Sequence, residues 1–198
     1  MELTPLTKRL IAWSALTTIL AGIIHLWIVP EHFEHAPAHG ILFLVVGIAQ
    51  IIWGIAIWRQ PSIRVYLIGA MLAGWLIVLY GITRLIPAPF GHGGPEAVDT
   101  IGLVCKLCEA LGMFTLVILI FQGMLLKAGR PVAWRTVTMV VLFSFVSAFV
   151  TYGVARAAEP LFPGLAGPAE EHHEESAPGE DHDGGEGTPA PEHDEGGH

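Results

Sequence analysis

Charged residues are scarce in this chain of 198 residues, at 14% of the sequence, and long stretches contain none. With 53% hydrophobic residues, the composition excludes an ordinary water-soluble surface for most of the chain. Basic stripes, nucleotide-binding loops and serine nucleophile elbows are also absent, which argues against nucleic acid as a partner and against the common nucleotide and hydrolase sites. Two cysteines are too few for a disulfide framework.

Five apolar runs are each long enough to cross a hydrocarbon core of roughly 30 Å, which takes about 20 helical residues. They cover approximately residues 10–29, 41–58, 65–83, 107–126 and 132–154. The runs are continuous and do not alternate with polar residues, so helices are expected and strands are not. Residues 1–158 are therefore predicted to form an all-α integral membrane domain, a bundle of five transmembrane helices.

Two further features of the runs bear on packing and function. Small residues at four-residue spacing, Gly69 with Ala73 and Ala70 with Gly74, predict that the third helix packs closely on a neighbour. The inner halves of the runs hold almost no polar groups apart from Gln50 and scattered Thr and Ser. That scarcity argues against a channel or pump, because an ion pathway needs polar groups through the whole membrane.

Basic residues predict the orientation of the bundle. Seven of the ten Lys and Arg residues flank the same ends of the runs: Lys8, Arg9, Arg59, Arg64, Lys127, Arg130 and Arg135. By the positive-inside rule this side is cytoplasmic. Five crossings then place the N-terminus in the cytoplasm and the C-terminus outside a cell membrane. All ten histidines are expected at or beyond the outer side.

The composition changes abruptly at about residue 158. Residues 159–198 contain twelve acidic residues, five histidines and no Lys or Arg. Such a segment buries too little apolar surface to offset its ordering entropy, so a disordered acidic extracytoplasmic tail is predicted. Two interpretations of the tail stay open: a solubilising extension, or a weak collector of metal ions through imidazole and carboxylate groups.

The segment 30–39, between the first two runs, is rich in histidine and glutamate. If it is helical, His32, His35 and His39 share one face, and three imidazoles can converge on one metal ion. Glu31 can serve as a further ligand or as an acceptor that orients an imidazole. Pro37 argues against one continuous helix, and the alternative is a short polar turn with solvated histidines.

Two histidines elsewhere are further candidates. His92 lies in a loop rich in glycine and proline, where Glu96 and Asp99 could add ligands, although Asp99 fits better as a helix cap. His25 lies inside the first run, about one and a half turns before Pro30. Ionisable residues inside spans face the protein interior and are functional candidates. His25 is therefore a candidate deep metal ligand, haem ligand or quinone partner, and the alternative is a bond to a neighbouring helix backbone.

Cys105, Cys108 and Glu109 stand together near the start of the fourth run. The cysteines share a helix face, and Glu109 lies four residues after Cys105 on the same side. Such a pair can bind a soft metal or exchange disulfides, and the alternative is two small buried apolar residues. Glu109 is expected to pair with Arg84 or Lys106.

Two resemblances add to these observations. The placement of Cys105 and Cys108 is similar to that in the vitamin K epoxide reductase family, whose active Cys-x-x-Cys lies at the outer end of a transmembrane helix. The second cysteine pair of that family has no counterpart in this chain, so its function is not carried over. The stretch His25-x(4)-Pro30-Glu31-His32-Phe33, with a later Gly-Ile-Leu-Phe-Leu and Gln50, resembles an uncharacterised group of small bacterial polytopic membrane proteins. This resemblance implies a prokaryotic membrane protein.

The sequence thus predicts a multi-pass protein of the lipid bilayer that binds or handles copper or zinc at its extracytoplasmic face. The predicted metal ligands are His25, Glu31, His32, His35, His39, His92, Cys105, Cys108 and Glu109. Two other interpretations stay open. One is a redox or cofactor protein, using thiol chemistry at Cys105 and Cys108 or a haem or quinone at His25. The other is a non-catalytic subunit of a membrane complex or a homo-oligomer. Whether the protein is an enzyme is left open by the sequence.

Overall fold

Long helices form nearly all of the regular structure. The structure, a computed structural model, describes residues 3–91, 93–127 and 130–166. Its five long helices are α1 (Pro5–His35), α2 (Pro37–Arg59), α3 (Ile63–Leu85), α4 (Thr100–Lys127) and α5 (Arg130–Ala158). All five are long and apolar enough to span a membrane. The prediction of an all-helical chain with five such helices is confirmed, and no strand occurs in the described residues.

Two single turns of 3-10 helix, Glu159–Leu161 and Pro163–Leu165, follow α5. They cover the first residues of the predicted tail. The remaining tail residues, 167–198, lie outside the described residues, and so does His92. The predicted disorder of the tail therefore stays a prediction.

Prolines set the junction between α1 and α2. α1 continues through Pro30 and ends at His35, and the next residue, Ala36, has an extended backbone with a φ of −151° and a ψ of 101°. An extended conformation is what steric contact with a following proline favours, and Pro37 is well suited to the first position of α2 because it has no N–H to satisfy. As a result His35 ends α1 while His39 lies in the first turn of α2.

Glycines allow the backbones of α1 and α2 to touch. A Cβ added at Gly22 would lie 2.8 Å from the carbonyl oxygen of Gly47, and one added at Gly47 would lie 2.9 Å from that of Gly22. Small residues at a helix interface are the usual means of close packing in membranes. This contact fixes the height of α1 relative to α2, and therefore the depth at which His25 meets its neighbours.

Gly22→Ala is expected to destabilise the bundle by about 1–3 kcal/mol, because the new methyl group must push two backbones apart. Gly81→Ala is the matched control, since a Cβ there meets nothing within 4 Å. Thermal unfolding in detergent measures both variants. A Gly22→Ala protein as stable as the Gly81→Ala protein would contradict the close approach of α1 and α2.

The third helix packs through the small residues that the sequence indicated. Gly69, Ala70 and Gly74 are buried. A Cβ at Gly69 would meet Leu116 of α4 at 3.0 Å and Trp53 of α2 at 3.1 Å. α3 therefore lies in close contact with two other helices, as its small-residue spacing predicted.

The two ends of the bundle differ in chemistry. At the end where α1 begins, apolar residues from several helices form the main core, including Ile11, Ile57, Ile120 and Val140. The opposite end, called the histidine end below, is formed by the α1–α2 junction at Ala36 and by the segment 86–99 between α3 and α4. The buried ionisable side chains His25 and Glu109 lie toward this end. Large apolar side chains on the outer helix surfaces are exposed, which is compatible with a lipid bilayer.

The described residues of the segment 86–99, all but residue 92, fold over the histidine end. The ring of His39 donates from Nε2 to the carbonyl oxygen of Pro89 at 2.7 Å, and the hydroxyl of Tyr152 donates to that of Pro87 at 2.8 Å. Ala88, Pro89 and Phe90 are buried. The segment thereby covers one side of a large cavity between the helices.

Candidate metal centre

A network of buried polar side chains joins three helices below the histidine end. His25 of α1, Gln50 of α2 and Glu109 of α4 are only 2–3% exposed. Glu109 Oε1 accepts hydrogen bonds from His25 Nε2 at 3.0 Å and from Gln50 Nε2 at 2.9 Å. Its other oxygen pairs with the ammonium of Lys106 at 2.6 Å. Of the two partners expected for Glu109, the structure therefore selects Lys106.

Cys105 completes the cluster because it lies one helical turn before Glu109 on the same face of α4. Its Sγ is 3.5 Å from His25 Nε2 and 3.9 Å from Glu109 Oε1. One ligand atom from each of His25, Cys105 and Glu109 lies within 4.8 Å of the other two. Within the part of the chain that the structure describes, these three form the one group of at least three potential metal ligands with that spacing.

The spacing matches a metal site closely. Bond lengths of about 2.0–2.3 Å in a tetrahedral zinc centre place its N, O and S ligand atoms about 3.3–3.6 Å from one another. The three observed separations, 3.0, 3.5 and 3.9 Å, straddle that range. Side-chain shifts of about 0.4 Å would bring all three atoms into place around an ion.

Metal binding at this cluster would require two of its protons to move. A carboxylate only accepts hydrogen bonds, so His25 Nε2 carries the proton that faces Glu109. His25 Nδ1 is buried and has no partner. An ion at Nε2 would move the ring proton to Nδ1 and would displace the proton of the Cys105 thiol. Gln50 and Lys106 would remain bonded to Glu109 and keep its carboxylate oriented.

A cavity of about 660 Å³ lies at the histidine end, next to this cluster. His25 and Cys105 form part of its wall, together with Phe43, Tyr80 and Arg84. The cluster is buried, with its three side chains 1–3% exposed, and it borders the cavity through His25 and Cys105. Three protein ligands with one open position are the arrangement of zinc sites that exchange ligands.

The histidines of the segment 30–39 are engaged separately. His32 Nδ1 bonds to the carbonyl oxygen of Ile28 at 2.9 Å, and its ring packs edge-on against Phe43. His35 Nδ1 bonds to the carbonyl oxygen of Glu31 at 2.8 Å. Since α1 ends between His35 and His39, the three imidazoles are not on one continuous helix.

The remaining predicted ligands that the structure describes lie around the cavity or away from it. His39 and Glu31 line the cavity with His32, and His39 Nδ1 is 3.7 Å from the carboxylate of Glu96. Cys108 is a free, half-buried thiol outside the cluster, and Cys105 is also free. The Cys-x-x-Cys spacing therefore contributes only one of its two thiols to the candidate centre.

Two members of the network, Gln50 and Lys106, are absent from the ligand set that the sequence predicted. Gln50 had a usable signal, since a polar side chain at the middle of an apolar run needs a partner inside the protein. Lys106 precedes Glu109 by three residues, a spacing that places them on one helix face. Neither of these sequence features indicates that His25 also bonds to Glu109.

Comparison with known proteins does not assign the chain to a family. No family model, curated protein or solved structure matches this chain significantly. The chemistry of the centre is therefore inferred from its own residues.

Proposed function

We propose that this chain is a multi-pass membrane protein that binds one zinc ion between α1 and α4. The ligands are His25 Nε2, Cys105 Sγ and a carboxylate oxygen of Glu109, and the fourth position faces the cavity. The observation that carries the proposal is the convergence of these three buried donor atoms within 4.8 Å. Nitrogen, sulfur and oxygen together are a zinc donor set.

Charge also supports a divalent ion. Zinc adds two positive charges, and the thiolate of Cys105 and the carboxylate of Glu109 offset both, so that only the charge of Lys106 beside Glu109 remains. Offsetting the charge of the ion lowers the cost of burying it among apolar helices. Copper(I) is the competing ion, because it prefers soft thiolate ligands, but the hard oxygen of Glu109 suits zinc better.

The entrance to the centre fits collection of cations from one side of the membrane. Glu31, His32, His39 and Glu96 line the cavity and supply imidazole and carboxylate groups. Most Lys and Arg residues lie at the other end of the helices. By the positive-inside rule the histidine end faces the extracytoplasmic space, where the acidic tail would raise the local concentration of metal.

Elemental mass spectrometry of the full-length protein tests the proposal. Serine replaces the five tail histidines, so that weak tail binding does not contribute: His172, His173, His182, His193 and His198. After equilibration with zinc and removal of free metal, about one equivalent is expected to remain bound. His25→Ala is expected to reduce it to below about a tenth, because a three-ligand site loses its only imidazole.

The matched control replaces His32, His35 and His39 together, which is expected to leave about one equivalent bound. Loss of metal in this triple variant, with retention in His25→Ala, would move the site to the segment 30–39. Retention of copper(I) in preference to zinc would overturn the choice of metal. Absence of metal from every variant would leave the network with a structural role alone.

A further inference from the structure

At the rim of the cavity, where α2 begins, an imidazole nitrogen and a carboxylate oxygen lie close together without a hydrogen bond. His39 Nδ1 is 3.7 Å from Glu96 Oε1, which is too long for a hydrogen bond. His39 Nε2 donates to the carbonyl oxygen of Pro89 at 2.7 Å, so Nδ1 of the neutral ring is an unprotonated acceptor. Two neighbouring acceptors are stabilised by a cation or a donor between them.

The fold holds both groups in place. His39 lies in the first turn of α2, and its bond to Pro89 fixes the orientation of the ring. The backbone N–H of Glu96 donates to the carbonyl oxygen of Thr83 in α3 at 2.9 Å. A metal-binding histidine usually donates its other ring N–H to a carbonyl or carboxylate oxygen, because that bond selects the tautomer whose second nitrogen can bind the metal. His39 has this arrangement.

The separation of the two atoms fits a metal ion better than a shared proton. Zinc bonds of about 2.0–2.2 Å to nitrogen and oxygen would meet at an angle of about 120° across the observed 3.7 Å. A movement of about 0.3 Å would give the tetrahedral angle. A protonated imidazole would instead approach the carboxylate to about 2.7–2.9 Å, the usual length of a charge-assisted hydrogen bond.

The basic residues of the cavity wall pair with carboxylates other than Glu96. Arg84 pairs with Asp99 at 3.7 Å, and Lys106 pairs with Glu109 at 2.6 Å. In the part of the chain that the structure describes, the ionic partner of Glu96 is therefore an imidazole, which carries no charge when it is neutral. The carboxylate is available to a bound cation.

An ion can reach this position from the solvent. The side chain of His39 is 17% exposed and that of Glu96 is 31% exposed. Both line the cavity together with Glu31 and His32. His32 Nδ1 donates to the carbonyl oxygen of Ile28, so the other nitrogen of its ring is also an acceptor. Water and these neighbours are available to complete the coordination of an ion.

We propose that His39 Nδ1 and the carboxylate of Glu96 bind a divalent transition metal ion, zinc, at the rim of the cavity. Imidazole together with carboxylate selects zinc over calcium or magnesium, which prefer oxygen ligands alone. The ion joins α2 to the segment 86–99. The rim site shares no ligand with the proposed centre between α1 and α4, so each site can be occupied without the other. With two protein ligands and water, the rim site exchanges its ion quickly and is emptied when free metal is removed.

Calorimetric titration with zinc tests the rim site. The protein is the full chain with its tail histidines replaced by serine and with the centre between α1 and α4 already loaded. A second, weaker equivalent is expected. Glu96→Gln and His39→Gln should each weaken it by about tenfold or more, because each removes one of two protein ligands. Calcium in about hundredfold excess should not compete. Amide hydrogens of the segment 86–99 should exchange more slowly when the second equivalent is bound.

Two variants at the end of α1 are the matched controls. Glu34→Gln and His35→Gln remove the same chemical groups from positions outside the cavity wall. Each should change the affinity of the second equivalent by less than about twofold, since charges exposed to solvent are screened. Glu96→Gln keeps the bond between His39 and Pro89, so it reports on metal binding even where His39→Gln loses thermal stability.

Repeating the titration in His25→Ala distinguishes the two sites. This variant should lose the tight equivalent and keep the weak one. Loss of the tight equivalent from every protein, with the weak one retained, would overturn the centre between α1 and α4 and leave the rim site standing.

Three results would overturn the rim site. Absence of a second equivalent up to millimolar zinc would mean that water or a long ion pair fills the space between the two atoms. A second equivalent of unchanged affinity in Glu96→Gln would place the ion elsewhere. Equal weakening by Glu34→Gln, or competition by calcium, would show that the acidic groups attract cations without a defined site.

Discussion

Cys105→Ser is expected to remove the sulfur-to-metal charge-transfer absorption of the cobalt(II)-loaded protein, while Cys108→Ser leaves that absorption unchanged. Cys105 Sγ lies 3.5 Å from His25 Nε2, whereas Cys108 is outside the cluster of candidate ligands. Cobalt(II) occupies tetrahedral zinc sites and reports a bound thiolate in its near-ultraviolet spectrum. Zinc affinity should fall by more than about a hundredfold in Cys105→Ser, since losing a ligand exceeds the 10–100-fold cost of losing an outer hydrogen-bond partner.

The two cysteines make a matched pair, because they are three residues apart on the same helix and only one is predicted to ligate. Loss of the charge-transfer band in both single variants would mean that the two thiols hold the metal together. That outcome would favour the Cys-x-x-Cys interpretation and would require Cys108 to approach the metal, because it lies outside the cluster around His25. Retention of the band in Cys105→Ser would exclude the proposed centre.

The helices could be predicted almost completely from the sequence, because apolar length and the position of Pro37 are local properties. The observed helices extend past each predicted run by one to seven residues at each end, since hydropathy marks the apolar length and not the last hydrogen-bonded turn. The predicted run 107–126 begins after Cys105, for example, although α4 begins at Thr100. This extension places the cysteine within the helix that forms the centre.

The centre could be predicted only in part. The sequence predicted His25, Cys105 and Glu109 as ligands. It placed them in one site with the histidines of the segment 30–39, and it did not single out these three as a group. Which of these residues meet depends on the relative heights of α1, α2 and α4. Those heights are set by contacts such as that of Gly22 with Gly47, and that of Gly112 with Thr17, where a Cβ would lie 2.9 Å from the threonine hydroxyl. Helical periodicity along one chain segment carries no information on such contacts.

The number of candidate ligands in a segment also did not indicate how deeply those residues are buried. The segment 30–39 has more histidines than any other segment of its length before the tail, yet its histidines can bond to nearby carbonyl groups or to water. His25 has neither option because it is buried beside Glu109. Because an unpaired imidazole inside an apolar bundle is costly, the buried ring of His25 needs a polar partner from a neighbouring helix. A single ionisable residue inside a span therefore indicated the proposed centre more directly than a cluster at its end.

Glu109→Ala is expected to destabilise the bundle by about 3–5 kcal/mol, more than the Gly22→Ala change at the contact between α1 and α2. The change leaves the ammonium of Lys106 without its partner at 2.6 Å, and it removes the acceptor for both His25 and Gln50. Thermal unfolding of the metal-free protein in detergent measures the effect without a contribution from zinc. Glu159→Ala is the control, since its pair with Arg156 is partly exposed and should contribute less than about 1 kcal/mol.

A second variant distinguishes the cost of an uncompensated charge from the loss of packing. Lys106→Met combined with Glu109→Leu removes both charges while keeping apolar volume, so it should recover part of the lost stability. Recovery of stability would show that the carboxylate is dispensable for folding once Lys106 is gone. A Glu109→Ala protein that unfolds at the wild-type temperature would contradict the network itself. It would mean that His25, Gln50 and Lys106 do not depend on Glu109 as their common acceptor.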